Sequence, residues 1–226
     1  MEDMLKIQLK KVLKEIQFYS PFRHNFFPKY AYNFSVPQLC FLSECIEDTR
    51  DIEGAIIEVG CHTGATTVFL NHLMDDIGVV KDYYAIDTFA GFTAEDTDFE
   101  VKYRKKQRDL FAGAFQVNKK KWFDGTMKLN KISRVRSIEA DVNSYDLASH
   151  APYSFALVDV DLYKPMKKCL KEIYEAMSPN GIIVVDDCNE ADVRWDGSDQ
   201  AYKEFAEEIN RPIQIIHNKL GVLRKR

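Results

Sequence analysis

The chain has 226 residues, of which 46% are hydrophobic and 29% charged, and its formal net charge is −4. That length suits one large α/β domain better than two small ones, and the hydrophobic share argues against general disorder. The negative balance gives no global attraction to nucleic acid, and no apolar run reaches the roughly 20 residues that a bilayer requires.

The first predicted element is an amphipathic helix, because Leu5, Leu9, Val12, Leu13 and Ile16 recur with helical spacing. Lys6, Lys10, Lys11 and Lys14 interrupt its apolar residues, so it lacks the core of a signal peptide and a cytosolic protein is expected. The aromatic stretch from Phe18 to Phe34, broken by Pro21 and Pro28, reads as an irregular cap or lid that could pack against a second subunit. Asn33-Phe34-Ser35 has the form of a glycosylation acceptor, expected to be a chance match if the chain is cytosolic. Leu39, Leu42 and Ile46 predict a second helix. Residues 1–50 are thus expected to form a helical cap region and residues 51–226 the core domain.

From Ala55 the pattern changes to short apolar runs alternating with helical segments. Ala55-Ile56-Ile57-Glu58-Val59 predicts a first strand, with a helix over Thr63 to Leu73, and Tyr83-Tyr84-Ala85-Ile86 a second strand. Phe155 to Val158 and Ile182 to Val185 predict two more, separated by a helix over Pro165 to Met177 with Pro165 at its first position. Asn180-Gly181 supplies the turn before the last of these. Ile213 to His217 and Val222 to Arg224 flank Asn218-Lys219-Leu220-Gly221 and predict a terminal hairpin. Near-continuous apolar strands alternating with helices indicate a parallel sheet covered on both faces. Between Glu95 and Asn130, rich in charge and aromatics, one or two inserted helices are expected; Phe92, Phe99, Tyr103, Phe111 and Phe115 there could form a lid. The basic runs Lys102 to Arg108 and Lys119 to Lys121 read as solvated helix faces. Five unclustered cysteines, Cys40, Cys45, Cys61, Cys169 and Cys188, look like reduced thiols rather than disulfides or a zinc site.

In an open parallel sheet, ligands bind beyond the carboxyl ends of the strands. Each such end placed here carries an acid. The first strand runs into Glu58-Val59-Gly60-Cys61-His62-Thr63-Gly64, whose glycines allow a tight turn and close approach of a ligand. The second ends in Asp87, suited to ribose hydroxyls. A dinucleotide site would show a third glycine making room for a pyrophosphate; its absence favours an adenosyl amino acid over a nicotinamide cofactor. Asp159 and Asp161 stand two apart at one strand end, and Asp186 and Asp187 close another. Four converging carboxylates repel and raise each other's pKa values unless a cation sits among them, and oxygen donors suit a hard ion such as Mg²⁺.

These segments resemble the macrocin O-methyltransferase (TylF-type) family. The matching pieces are Glu58-Val59-Gly60-Cys61-His62-Thr63-Gly64-Ala65-Thr66, Asp87-Thr88-Phe89-Ala90-Gly91-Phe92, Asp159-Val160-Asp161-Leu162-Tyr163 and Asn180-Gly181-Ile182-Ile183-Val184-Val185-Asp186-Asp187. The chain departs from the family at Val160, where a glycine is usual, at Phe92-Thr93, and at Trp122-Phe123 with Ala140-Asp141. The resemblance implies a Rossmann-like class I methyltransferase fold: a mostly parallel sheet with helices on both faces and a C-terminal antiparallel hairpin. It implies S-adenosylmethionine held by Glu58, Gly60, His62, Thr63, Gly64, Asp87, Thr88, Asp141 and Asp159, and Mg²⁺ held by Asp159, Asp186 and Asp187. Asp161 would be the catalytic base. The implied activity is O-methylation of a small-molecule hydroxyl, most simply a sugar of a glycosylated natural product, with neither nucleic acid nor membrane as partner. The competing readings are a non-catalytic adenosyl-binding protein of the same fold, against which the intact acid set argues, and an NAD-dependent oxidoreductase.

Overall fold

A computed structural model of the chain describes residues 2–23, 30, 32–189, 191 and 193–226. The chain divides into two compact units, Met1–Asn33 and Phe34–Arg226. The first holds helix α1, Glu2–Tyr19, on which the predicted apolar spacing falls. The Ser20 hydroxyl donates to the Gln17 carbonyl just beyond it, 2.8 Å away. Of the predicted aromatic cap, residues 24–29 and 31, Pro28 among them, lie outside the described residues.

The second unit opens with α2, Val36–Asp48, whose start is fixed by a reciprocal cap. The Ser35 N–H donates to Gln38 Oε1 at 2.7 Å while the Ser35 side chain takes the N–H of Gln38. Among the described residues seven strands follow: β1 Ala55–Val59, β2 Tyr83–Asp87, β3 Val135–Glu139, β4 Tyr153–Val158, β5 Met177–Val185, β6 Ile215–Ile216 and β7 Leu220–Arg224. They form one sheet in the order β3-β2-β1-β4-β5-β7-β6. The first five are parallel, and β7 runs antiparallel to both β5 and β6. The chain order reverses between β1 and β4, the switch point at which open α/β sheets bind ligands.

Strand pleating sorts the apolar residues into two layers. Ile57, Val59, Tyr84, Ile86, Ala156, Val158, Ile183 and Val185 face a core completed by α6, Tyr163–Ala176, and α7, Asp196–Glu208. Ile56, Tyr83, Ala85, Phe155, Leu157, Ile182 and Val184 face the other, closed by α2, by α3, Ala65–Ile77, and by α5, Lys120–Leu129. Each fully buried large apolar side chain stabilises the fold by roughly 1.5–3 kcal/mol. The inserted segment is α4, Ala94–Tyr103, a short 3-10 turn at Arg108–Leu110, and α5.

Several boundaries differ from expectation, each for a local reason. α3 starts at Ala65 rather than Thr63, because Gly64 caps it in the left-handed conformation at φ 87°. α6 starts at Tyr163, so Pro165 is its third residue; it is still in the first turn, where a missing N–H costs no helical hydrogen bond. Asn180-Gly181 does not precede β5 but bulges within it. The β4–β5 register jumps there from Tyr153 opposite Met177 to Phe155 opposite Ile182, with Asn180 at φ 66°. β3 ends just before Ala140-Asp141, where the family resemblance expects a strand end, but no apolar run predicts it. It is a half-exposed edge, so its sequence lacks a continuous apolar run. All five cysteines are unpaired.

Candidate active site

Four parallel strands end in a left-handed, non-glycine kink. His62 follows β1 at φ 46°, Phe89 follows β2 at φ 50°, Asp161 follows β4 at φ 59° and Asp187 follows β5 at φ 58°. Such conformations cost of order 1–3 kcal/mol each and cluster at functional sites. All four lie on the rim beyond the carboxyl ends of the sheet.

The first turn is held from three sides. Gly60 has φ 88°, and its N–H donates to the Ile86 carbonyl at 2.8 Å. A Cβ there would fall onto the Asp159 carbonyl oxygen, so only glycine lets β1 and β4 close together at this point. Asp87 accepts the His62 N–H on Oδ2 and the Phe89 N–H on Oδ1, each at 2.7 Å, tying the turns after β1 and β2 to one carboxylate. Asn118 of the insertion donates to the His62 carbonyl at 2.9 Å. Thr63 is exposed on this turn. Thr88 closes its own loop by donating to the Gly91 carbonyl at 2.7 Å. Asp141 lies beside Asp87 through the Ala140 N–H, which donates to the Asp87 carbonyl at 3.0 Å; its side chain accepts from Asn143.

Glu58 points away from this rim. Its Oε2 accepts from Thr67 on α3 and from the Tyr83 hydroxyl, both at 2.6 Å, in the layer below. Burial pushes its pKa up to about 7, the two hydrogen bonds only partly opposing it. Between pH 4.5, its ordinary value, and 7 the unfolded chain releases this proton while the folded chain keeps it, so Glu58 makes stability fall as pH rises through that window. Glu58→Gln is expected to flatten this decline by up to about 3 kcal/mol. Thermal melts of both proteins across the window would measure it; parallel curves would refute the assignment.

The second half of the rim is acidic. Asp159, Asp161 and Asp187 each bring a carboxylate oxygen within 4.8 Å of the others. Asp161 is the middle residue of a three-residue turn closed by the Leu162 N–H on the Val160 carbonyl at 2.6 Å, which aims it back over the strand ends. Burial, then the neighbouring acids, raise the pKa values of Asp159 and Asp161 well above the carboxylate range, and that of Asp186 to about 6. Asp186 is turned elsewhere. Its Oδ2 receives the Lys219 ammonium at 2.6 Å, and the same ammonium stands 3.2 Å from Asp187. The other Asp186 oxygen is buried with no hydrogen-bond partner among the described residues.

Around these groups the insertion packs as a wall. Phe92, Phe111 and Phe115 gather on Trp195 with ring centroids 5.6, 6.4 and 5.9 Å away, and Phe115 meets the His62 ring at 5.3 Å. Phe99 instead stacks on Tyr163. Two cations of the first basic run are not solvated, as expected of a helix face, but drawn into ion pairs because the insertion folds onto the start of α7. Arg104 reaches Glu100 at 2.8 Å and Asp196 at 2.7 Å, and Lys106 reaches Asp196 at 2.6 Å. Glu100, buried, also accepts the Tyr163 N–H at 2.9 Å and so anchors the helix that follows Asp161.

Lys219, Glu100 and Asn118 are absent from the residues singled out in the sequence. Glu100 and Arg104 carried one usable sign, an acid and a base four apart on a helix. Lys219 carried none beyond its turn.

The sequence model of the macrocin-O-methyltransferase (TylF) family matches residues 27–225. No curated protein sequence matches the chain significantly. Among solved structures, the O-methyltransferase NovP superposes with TM-score 0.69 at 15% identity, over 88% of this chain and 84% of its own. CalS11, a calicheamicin methyltransferase also described as a TDP-rhamnose 3'-O-methyltransferase, gives 0.67 at 19% identity over 96% and 91%. A Streptococcus mutans protein in complex with SAH gives 0.53 at 15% over 85% and 99%. At these identities the likeness is one of fold, the Rossmann-like class I methyltransferase fold.

Proposed function

The chain belongs to the macrocin O-methyltransferase family and is an O-methyltransferase; from this premise we propose that it transfers the methyl group of S-adenosylmethionine to a sugar hydroxyl of a small molecule, with a divalent cation at the acidic rim. The observation that carries the reading is the convergence of Asp159, Asp161 and Asp187 beside the Gly60 turn at the switch point of the sheet. The S. mutans relative bound to SAH supports the adenosyl cofactor, and the rhamnose named for CalS11 supports a sugar acceptor. Cytoplasmic location belongs to the same proposal; no helix among the described residues is long and apolar enough to cross a membrane.

The donors fit a hard cation. Asp159, Asp161 and Asp187 offer carboxylate oxygens only, within 4.8 Å of one another, and beside them Asp186 Oδ1 is buried with no hydrogen-bond partner among the described residues. Asp159, Asp187 and Asp186 are the proposed ligands, with Asp161 among them to take the acceptor's proton. A bound cation would lower the cost of negative charge on the acceptor oxygen. The turn from Gly60 to Gly64, with His62, Thr63 and Thr88, is proposed to hold the amino-acid end of the cofactor; Asp87 and Asp141 flank its nucleoside, and Glu58 supports the turn from below. The chain's main contribution is alignment of acceptor oxygen, methyl carbon and sulfur, which can supply roughly 7–11 kcal/mol. The wall of Phe92, Phe111, Phe115 and Trp195 excludes water from that line.

Calorimetric titration with S-adenosylhomocysteine, in Mg²⁺ and in EDTA, tests the cofactor, and methyl transfer to nucleotide-linked and phenol-linked sugars tests the acceptor. One-site binding indifferent to EDTA is expected, together with turnover that falls at least about 100-fold in EDTA. No binding would overturn the donor assignment; turnover indifferent to EDTA would overturn the cation.

A further inference from the structure

The acidic rim already holds one positive charge of its own. Lys219 is the last residue of the three-residue turn between β6 and β7, in which His217 and Asn218 are both left-handed, at φ 50° and 52°. Two consecutive residues of this kind form the tight hairpin turn that matches strand twist. The Lys219 N–H closes it on the Ile216 carbonyl at 3.2 Å, and the Lys219 carbonyl accepts the Cys188 N–H at 2.7 Å. Lys219 is thereby clamped directly beside the loop that carries Asp186 and Asp187. Its ammonium lies 4.9 Å over the buried Phe34 ring and meets Asp186 and Asp187 at 2.6 and 3.2 Å.

We propose that Lys219 is a resident counter-ion of the acidic rim, competing with a divalent cation for the carboxylates of Asp186 and Asp187 and so setting how tightly that cation binds. The inference rests on the cation site proposed above. Four acids crowded at two strand ends need a positive partner to fold together. Lys219 provides one with no ion present, which lets the apo chain fold. The same charge would repel an incoming cation and already engages two of its three proposed ligands, so Mg²⁺ would bind more weakly than to the acids alone.

The test is Lys219→Met, which keeps the stem against Phe34 and removes the charge, read by Mg²⁺ calorimetry and by thermal melts in EDTA and in Mg²⁺. Mg²⁺ affinity is expected to rise at least about tenfold, because one unit of nearby like charge is gone. The melting temperature should drop in EDTA and recover in Mg²⁺, and Lys219→Arg should behave as wild type. A Lys219→Met protein that takes Mg²⁺, but no more tightly than a Mg²⁺-binding wild type does, overturns the proposal. Pairing Asp186→Asn with Lys219→Met restores the charge balance, and stability in EDTA should return with it. A double variant as unstable as Lys219→Met makes the lysine a packing residue and overturns the counter-ion role. If neither wild type nor variant takes Mg²⁺ while the double variant recovers stability, the cation site falls and the resident charge stands.

Discussion

Asp161→Asn is expected to lower turnover by about 10²–10⁴-fold while changing S-adenosylhomocysteine affinity by no more than about two-fold. Asparagine is the informative replacement. It tolerates the left-handed backbone that Asp161 adopts at φ 59°, so the turn closed by Val160 and Leu162 survives and only the proposed proton acceptor is removed. Alanine would strain the turn and confuse the two effects. Burial and the neighbouring acids hold the Asp161 pKa well above the carboxylate range, so a bound cation would be what keeps it ionised for the proposed base role. Single-turnover methyl transfer beside calorimetry would separate the steps. Equal losses in binding and in turnover would make Asp161 structural instead.

The second large effect concerns a residue with no side chain. Gly60→Ala should cost about 3–5 kcal/mol, because it combines an unfavourable φ of 88° with a Cβ driven into the backbone of Asp159. For a chain of this size that corresponds to a melting temperature lower by roughly 10 °C. Cofactor affinity should fall with it, since the clash pushes the His62 turn off Asp87 and β4 away from β1. Melting curves and a S-adenosylhomocysteine titration check both. A variant that melts within about 2 °C of wild type and binds normally would show that the turn opens without loss.

The strands that build this rim were readable because each is buried on both faces and leaves an unbroken apolar run, and because the acids closing those runs stand out against them. Asp159, Asp161 and Asp187 were legible for that reason. Their division of labour was not. That Asp186 turns to Lys219, and Glu58 to Thr67 and Tyr83, depends on how separate strands and helices pack together. No local pattern encodes them. Edge strand β3 escaped because half of it faces solvent, and the bulge at Asn180 escaped because a turn dipeptide looks alike whether it ends a strand or kinks one. The lysine's position follows from two left-handed residues in a hairpin turn, a detail that Asn218 hints at and His217 conceals.

The tie between Glu100, Arg104 and Asp196 bears on how such a protein could acquire a new acceptor. One buried carboxylate holds both the first N–H of α6, just past Asp161, and the guanidinium that grips the start of α7. The insertion is therefore not an exchangeable cassette. A loop grafted in its place would arrive without these anchor points and leave the Tyr163 N–H and Asp196 without the insertion's partners, so the insertion has to change together with Tyr163 and Asp196 as one block.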